Sequence, residues 1–283
     1  MREFLGGVGF FDSGIGGLSV LHACRERVVG VPFYYLGDNA RAPYGNLPTY
    51  LIRAYTREAM DTFAELGVQA VVLACNTVTA VCADEMRKEY PFAIIGVEPA
   101  VLPAARRGGK IGVLTTRATG ESSRFEGLLR RAKNSYPQTE IVPLACDGLA
   151  QCIEEHVGDA AFDYAPYLPT ANLDSVVLGC THYVLIRSKI GAYYNCPTFD
   201  GNEGVANRLF ACLEQSKTPL EIIRPPLKIP AFLGSTSTLN HQPIFFLGAR
   251  NTRNKHIYEQ MFVKNKGKVV KNPKKIEHFE KKL

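Results

Sequence analysis

A short apolar phrase that ends in cysteine occurs twice in this sequence. Residues 71–77 are VVLACNT and residues 176–182 are VVLGCTH, so Cys75 and Cys180 occupy the same place in the two copies. A continuous apolar, β-branched run is typical of a strand buried on both faces of a parallel sheet. Small polar residues and a helical pattern follow each cysteine. We therefore expect each thiol at the carboxyl end of a strand and near a helix N-terminus, where the thiolate is favoured.

The duplication extends beyond the two cysteines. Four strand-like segments recur in one order, with offsets of 104, 109, 105 and 102 residues. The pairs are 8–12 with 111–116, 33–38 with 140–147, 71–75 with 176–180, and 93–98 with 196–200. Helical patterns lie between them, as in residues 49–66 after Pro48 and residues 76–90 before Pro91. The alternation predicts an α/β fold with two pseudo-symmetric, doubly wound parallel-sheet domains that face each other across a cleft.

The same pattern suggests where the domains divide. We expect a first α/β domain in residues 1–98 plus about 205–263, a second in residues 99–204, and a basic tail in residues 264–283. The helical pattern of residues 205–215 would then pack back on the first half. The stretch 222–247 is rich in proline, serine and threonine and gives only a weak structural signal.

Charge is concentrated in the tail. Its eight lysines and two glutamates account for the whole net charge of +6, and residues 1–263 carry 25 basic and 25 acidic residues. The neutral body argues against nucleic-acid binding by the fold, so such binding would have to use the tail. The first residues lack a secretory signal and no apolar run approaches membrane-spanning length, which predicts a cytoplasmic protein that does not contact membranes. The eight cysteines include no C-x-x-C pair and no zinc-ligand spacing, so we expect no metal.

Two loops follow strands in the first half. Residues 11–20, FDSGIGGLSV, resemble a dinucleotide-binding turn, but Ser19 replaces the third glycine and Asp12 would place a negative charge beside a pyrophosphate. A carboxylate there better suits an ammonium group or a proton relay. In residues 37–45, the Tyr44 hydroxyl and the Gly45 backbone could hold a carboxylate or could simply close the loop.

His182 lies two residues beyond Cys180 and could move protons beside that thiol. A Cys–His hydrolase is one possible interpretation. It explains Cys180 and leaves the matching Cys75 without a role.

Four motifs together resemble the glutamate racemases of the cofactor-independent aspartate/glutamate racemase superfamily. They are residues 11–20, the GDxARxPYG pattern of residues 37–45, ACNT at 74–77 and LGCTHY at 178–183. The resemblance covers about residues 7–204. It implies two α/β domains with the substrate between them, no cofactor, and production of D-glutamate for peptidoglycan by a homodimer.

The resemblance also implies roles for individual residues. Cys75 and Cys180 would flank the α-carbon of glutamate, the first acting on D-glutamate and the second on L-glutamate. Asp12 would assist Cys75, His182 would assist Cys180, and Glu154 would be an additional acidic helper. Contacts to the amino acid would come from Asp12, Ser13, Tyr44, Gly45, Asn76, Thr77, Thr181 and His182, with Thr116 and Thr119 as further candidates.

Two alternatives stay open on the sequence. One is a racemase of the same superfamily that acts on aspartate or another acidic amino acid, because the sequence does not reveal the length of substrate the cleft accepts. The other is a protein that binds nucleic acid through its basic tail.

Overall fold

Two β-sheets organise the chain in the computed structural model, which describes residues 6–215, 235–239, 242–248 and 251–263. The first sheet has six strands in the order β4-β3-β1-β2-β10-β9. They are β1 (Val8–Asp12), β2 (Phe33–Gly37), β3 (Ala70–Leu73), β4 (Ala93–Gly96), β9 (Ser235–Leu239) and β10 (Gln242–Leu247). All neighbouring strands in this sheet are parallel except β9 and β10, which pair antiparallel.

The second sheet has four parallel strands in the order β6-β5-β7-β8. They are β5 (Lys110–Thr115), β6 (Glu140–Ala145), β7 (Ser175–Leu178) and β8 (Thr198–Phe199). Their order repeats that of β2-β1-β3-β4, so β5 to β8 correspond one by one to β1 to β4. The duplicated organisation and the fold class predicted from the sequence are confirmed.

Helices cover both faces of each sheet, as in doubly wound folds. Around the first sheet lie α1 (Leu18–Arg27), α2 (Thr49–Leu66), α3 (Asn76–Glu89), α10 (Asn202–Gln215) and α11 (Asn251–Tyr258), the last continued by a π-helical turn over Glu259–Val263. Around the second lie α4 (Val101–Arg107), α5 (Arg117–Gly120), α6 (Ser123–Ser135), α7 (Leu149–His156), α8 (Thr181–Leu185) and α9 (Arg187–Tyr194).

Helix α2 shows how local sequence sets these boundaries. The helix follows Pro48 and ends before Gly67, whose φ of 66° is the left-handed conformation that glycine adopts most easily. Ile52, Met60 and Phe63 bury one face of α2 in the core. The helix predicted over residues 49–66 is therefore confirmed.

Helix α10 returns the chain to the first sheet. Val205, Leu209 and Leu213 join the same apolar cluster as the buried side chains of α1 and β1. Within the residues described, no helix combines the length and apolar character that crossing a bilayer requires.

Candidate active site

Cys75 and Cys180 each lie where a strand gives way to a helix. Cys75 follows β3 and precedes the first residue of α3, and Cys180 has the same position between β7 and α8. Both have extended backbone, and their exposed fractions are 5% and 6%. The continuous apolar strands thus carry the two thiols to matching edges of the two sheets.

Cys75 is surrounded by groups from the first half of the chain. Its Sγ lies 3.6 Å from the Ser13 hydroxyl oxygen. Burial, together with the negative charges of Asp12 and of a Cys180 thiolate, raises the pKa of Cys75 to about 12. The Cys75 side chain is therefore a neutral thiol at neutral pH and is able to donate a proton.

Asp12, at the end of β1, joins the two halves of the chain. One carboxylate oxygen accepts the Gly14 N–H at 2.7 Å, and the other accepts the Thr181 hydroxyl at 3.0 Å. Burial raises the pKa of Asp12 above its usual value. A fully buried carboxyl group of this kind can exchange a proton more readily near neutral pH than an exposed aspartate can.

Cys180 has a different proton partner. Its Sγ is 3.9 Å from His182 Nδ1, and His182 Nε2 is 2.7 Å from Glu154 Oε2. Burial alone lowers the pKa of His182, but its hydrogen bonds to Cys180 and Glu154 raise that pKa well above the usual value. The pKa of Glu154 is lowered: burial opposes ionisation, and the hydrogen bond and positive charge of His182 outweigh it. The side chains form a charged imidazolium–carboxylate pair beside the second thiol.

Glu154 is held by groups from distant parts of the sequence. Asn39 Nδ2 donates to Oε1 at 2.7 Å, and the Ile15 N–H donates to Oε2 at 3.1 Å. Because Asn39 and Ile15 belong to loops of the first half, the Glu154–His182 pair lies at the contact between the halves.

Hydroxyl groups line another part of this contact. Thr77 Oγ1 is 3.0 Å from Thr116 Oγ1 and 3.4 Å from Thr119 Oγ1. Gly45 also approaches Thr116 closely, since a Cβ on that glycine would be 2.8 Å from Thr116 Cβ. A cleft of about 530 Å³ opens beside Gly45, lined by residues 45–49 and Arg53 on one side and by Arg117, Ala118 and residues 121–123 on the other.

The structure locates the remaining predicted residues as follows. Asn76 is buried at the start of α3, and its Nδ2 is 3.5 Å from the Val97 carbonyl oxygen. The buried Tyr44 hydroxyl makes a short hydrogen bond to Asp38, which also pairs with Arg41 at 2.6 Å. Among the described residues, no group of three or more histidine, cysteine, aspartate or glutamate side chains is arranged to hold a metal ion.

Two residues in this region escaped the sequence analysis. Asn39 lies in the loop of residues 37–45, but the sequence pattern drew attention to Tyr44 and Gly45 instead. Arg253, on α11, contacts Glu154 and carries no motif that could have identified it. Their positions depend on the packing of distant segments, for which a single sequence holds no local signal.

The Glu154–His182 pair leads to a prediction about pH dependence. Glu154→Gln removes the negative charge that helps to keep His182 protonated, so the pKa of His182 falls. We expect the alkaline limb of the pH–rate profile to move to lower pH and kcat to fall by roughly 10- to 100-fold, the effect of one charged hydrogen bond. Racemisation rates measured between pH 6 and pH 10 test this.

Glu155→Gln is the matched control, because Glu155 is exposed and bonds to Gln151 on the same helix. Its profile should match that of the unmodified protein. An unshifted alkaline limb in Glu154→Gln would contradict the role assigned to the charge pair.

Known proteins resemble this chain in sequence and in fold. A family model described as Asp/Glu/Hydantoin racemase matches residues 22–209. A glutamate racemase of Clostridium botulinum (strain Okra / Type B1) is 36% identical over 220 residues, which cover 74% of this chain and 84% of the relative.

Two solved structures extend the comparison. Escherichia coli glutamate racemase in complex with L-glutamate and the activator UDP-MurNAc-Ala is 28% identical with a TM-score of 0.66, covering 74% of this chain and 83% of that one. Glutamate racemase from Campylobacter jejuni subsp. jejuni, at 24% identity, shares the fold with a TM-score of 0.68 over 90% of this chain and 97% of its own. With these matches and the duplicated fold described above, the chain belongs to the Asp/Glu/Hydantoin racemase family.

Proposed function

We propose that this protein interconverts L- and D-glutamate by a two-thiol, two-base mechanism without a cofactor. The observation that carries the proposal is the pair of buried cysteines at the ends of corresponding strands, each with its own proton partner. A single-thiol hydrolase would use only one of these sets. The similarity to glutamate racemases favours glutamate as the substrate.

The two thiols act in opposite senses in one turnover. In the L-to-D direction, the Cys180 thiolate takes the α-proton of L-glutamate, and the Cys75 thiol gives its proton to the opposite face of the carbanion. The high pKa of Cys75, about 12, suits the donor in this direction. His182 offsets the charge of the thiolate, and Asp12 serves Cys75 when the direction is reversed. The assignment of each thiol to one enantiomer comes from the family resemblance.

The main obstacle is the weak acidity of the α-proton. Each pKa unit that separates it from the thiol adds about 1.4 kcal/mol to the barrier. Donors fixed in a dry site can stabilise the developing negative charge, because they need no reorganisation during the reaction. Asn76, Thr77 and Thr181 begin helices α3 and α8 and are buried, so we assign this task to them.

The substrate contacts follow from the same surface. We infer that Ser13, Tyr44, Gly45, Asn76, Thr77, Thr181 and His182, together with Asp12, bind the carboxylates and ammonium group. Tyr44 and Asp38 would hold the loop of residues 37–45 in place through their hydrogen bond. The contacts between loops of the two halves would separate to admit glutamate and close again to exclude water.

The cellular role follows from the reaction. We propose that the D-glutamate supplies peptidoglycan synthesis and that the enzyme works in the cytoplasm as a homodimer. All eight cysteines are free thiols, which supports a reducing compartment. We also propose the domain division given above, with residues 1–98 and about 205–263 in one domain and residues 99–204 in the other. The basic tail, residues 264–283, lies outside the described residues.

Chiral chromatography tests the activity. The purified protein is incubated with L-glutamate and L-aspartate together, with no added pyridoxal phosphate, and Cys75→Ala is treated in parallel to control for contaminating racemases. We expect D-glutamate alone from the unmodified protein. D-aspartate would instead select the sister activity, and the absence of both products would contradict the proposed function.

A further inference from the structure

Arg253 of α11 holds both the side chain and the main chain of Glu154. Its Nη2 donates to the Glu154 carbonyl oxygen at 2.6 Å, and its Nη1 lies 3.4 Å from Oε1 of the same residue. The Arg253 side chain is 31% exposed, whereas that of Glu154 is 9% exposed. One guanidinium group therefore covers this acidic residue from the solvent side.

The carbonyl oxygen that Arg253 contacts is at the end of a helix. Glu154 lies in the last turn of α7, where carbonyl groups have no partner within the helix. A basic side chain that binds such a carbonyl fixes the helix end. Because the same guanidinium also reaches the carboxylate, which Asn39 and the Ile15 N–H hold at its far end, Arg253 fixes the Glu154 side chain relative to the helix from which it leaves.

The position of the Glu154 side chain matters for Cys180. The Glu154 carboxylate is 2.7 Å from His182 Nε2, and the other side of the imidazole is 3.9 Å from Cys180 Sγ. The imidazole ring connects these two contacts, so a small movement of Glu154 would change the distance between His182 Nδ1 and Cys180 Sγ. At 3.9 Å this contact is the longer of the two. Arg253 contacts Glu154 and touches neither Cys180 nor Cys75, so it acts on the thiol through Glu154.

We propose that Arg253 is a positioning residue for the Cys180 half of the reaction, through which α11 aligns the Glu154–His182 pair. The inference rests on the two-thiol function proposed above. It adds a residue from the C-terminal part of the chain, to which the sequence analysis assigned no role.

Helix α11 is anchored independently of Arg253. Ile257 and Tyr258 are buried in the core of the first half, and the Tyr258 hydroxyl accepts a hydrogen bond from Arg25 Nη1 at 3.1 Å. Substitution of Arg253 should therefore leave α11 folded and change mainly the alignment of Glu154.

The test compares Arg253→Gln and Arg253→Lys with Lys255→Gln, which removes a positive charge from the same helix. Racemisation is followed in both directions with glutamate that carries deuterium at the α-carbon. We expect kcat to fall about tenfold in Arg253→Gln, to recover partly in Arg253→Lys, and to stay unchanged in Lys255→Gln.

The isotope effect separates positioning from a general structural loss. Two enantiomers have equal free energies, so kcat/KM is the same in both directions for any variant. Slower proton transfer at Cys180 nevertheless makes that step more rate-limiting, which raises the isotope effect for L-glutamate and lowers it for D-glutamate. A merely structural role would move both effects together or neither.

Each outcome is decisive. Opposite changes in the two isotope effects in Arg253→Gln support the proposal. Unchanged kinetics, or a loss of rate without that asymmetry, would overturn it. Cys180→Ala, assayed alongside, distinguishes a failure of the Arg253 proposal from a failure of the proposed function. If Cys180→Ala turns over at the full rate, the two-thiol mechanism itself is wrong.

Discussion

Cys75→Ala and Cys180→Ala are each expected to lower racemisation by about 10³-fold or more, within the range by which a positioned acid or base accelerates a reaction. Inversion needs a proton removed from one face of the α-carbon and another delivered to the opposite face. Each variant keeps one of these groups and lacks the other. The remaining thiol serves one face only, because Cys75 follows a strand of the first sheet and Cys180 follows a strand of the second, so that each is fixed on its own side of the substrate.

Cys82→Ala is the control for this experiment. Cys82 is also buried and lies on α3, the helix that begins just after Cys75, but it packs in the apolar core. We expect it to retain nearly full activity, with a modest loss of thermal stability because a small buried group is removed. Rates are measured by chiral chromatography from each enantiomer. Turnover at the full rate by either Cys75→Ala or Cys180→Ala would contradict the two-base mechanism.

Gly16→Ala is expected to have the second-largest effect. A Cβ at this position would be 2.6 Å from the main-chain nitrogen of His182 and 2.6 Å from Thr181 Oγ1. The nitrogen belongs to the backbone of α8, so rotation of a side chain cannot relieve the overlap. The β1–α1 loop and α8 would have to separate, and Thr181 would move away from Asp12.

We expect this separation to lower kcat/KM by roughly 100-fold, the cost of misplacing catalytic groups by about 1 Å. Overpacking should also lower the free energy of unfolding by about 1–3 kcal/mol. Enzyme kinetics and denaturant unfolding measure the two effects. The glycine-rich loop of residues 11–20 therefore lets the two halves of the chain come into close contact at the site.

Gly127→Ala provides the matched control. Gly127 lies within α6, and an added Cβ there would meet no atom within 4 Å. Alanine should leave the activity unchanged and raise stability by about 0.5–1 kcal/mol, because glycine is less favourable inside a helix. If Gly16→Ala kept the activity and stability of this control, the close contact between the loop and α8 would not be needed for catalysis.

The fold could be predicted because its signals are local and repeated. The runs that became β3 and β7 are apolar on both faces, and the same four-strand order followed each of the two starting strands. Helix α2 had a proline before it and a glycine after it. These features act within a few residues of one another, so a single sequence reveals them.

The C-terminal strands were harder to foresee. The stretch of residues 222–247 gave no clear pattern, yet β10 pairs parallel with β2 and buries Phe245 and Phe246. This strand comes from the far end of the chain, and its place beside β2 depends on a pairing between distant segments. A short apolar run by itself fits either a strand or a buried helix.

The residues of the candidate site likewise fall into those that the sequence could predict and those that it could not. Asp12, Cys75 and Cys180 could be proposed from sequence because each ends or follows a recognisable strand. Asn39 and Arg253 could not, because their contacts with Glu154 join segments more than 90 residues apart. Side chains that act by holding another residue depend on the completed fold.

The most direct test of the two-thiol mechanism is the fate of the α-hydrogen of L-glutamate in D₂O at early conversion. Two opposed thiols predict that the D-glutamate formed carries deuterium at the α-carbon while the recovered L-glutamate keeps protium. D-glutamate that retains the original protium would mean that one base carries the hydrogen from face to face, which would contradict the mechanism.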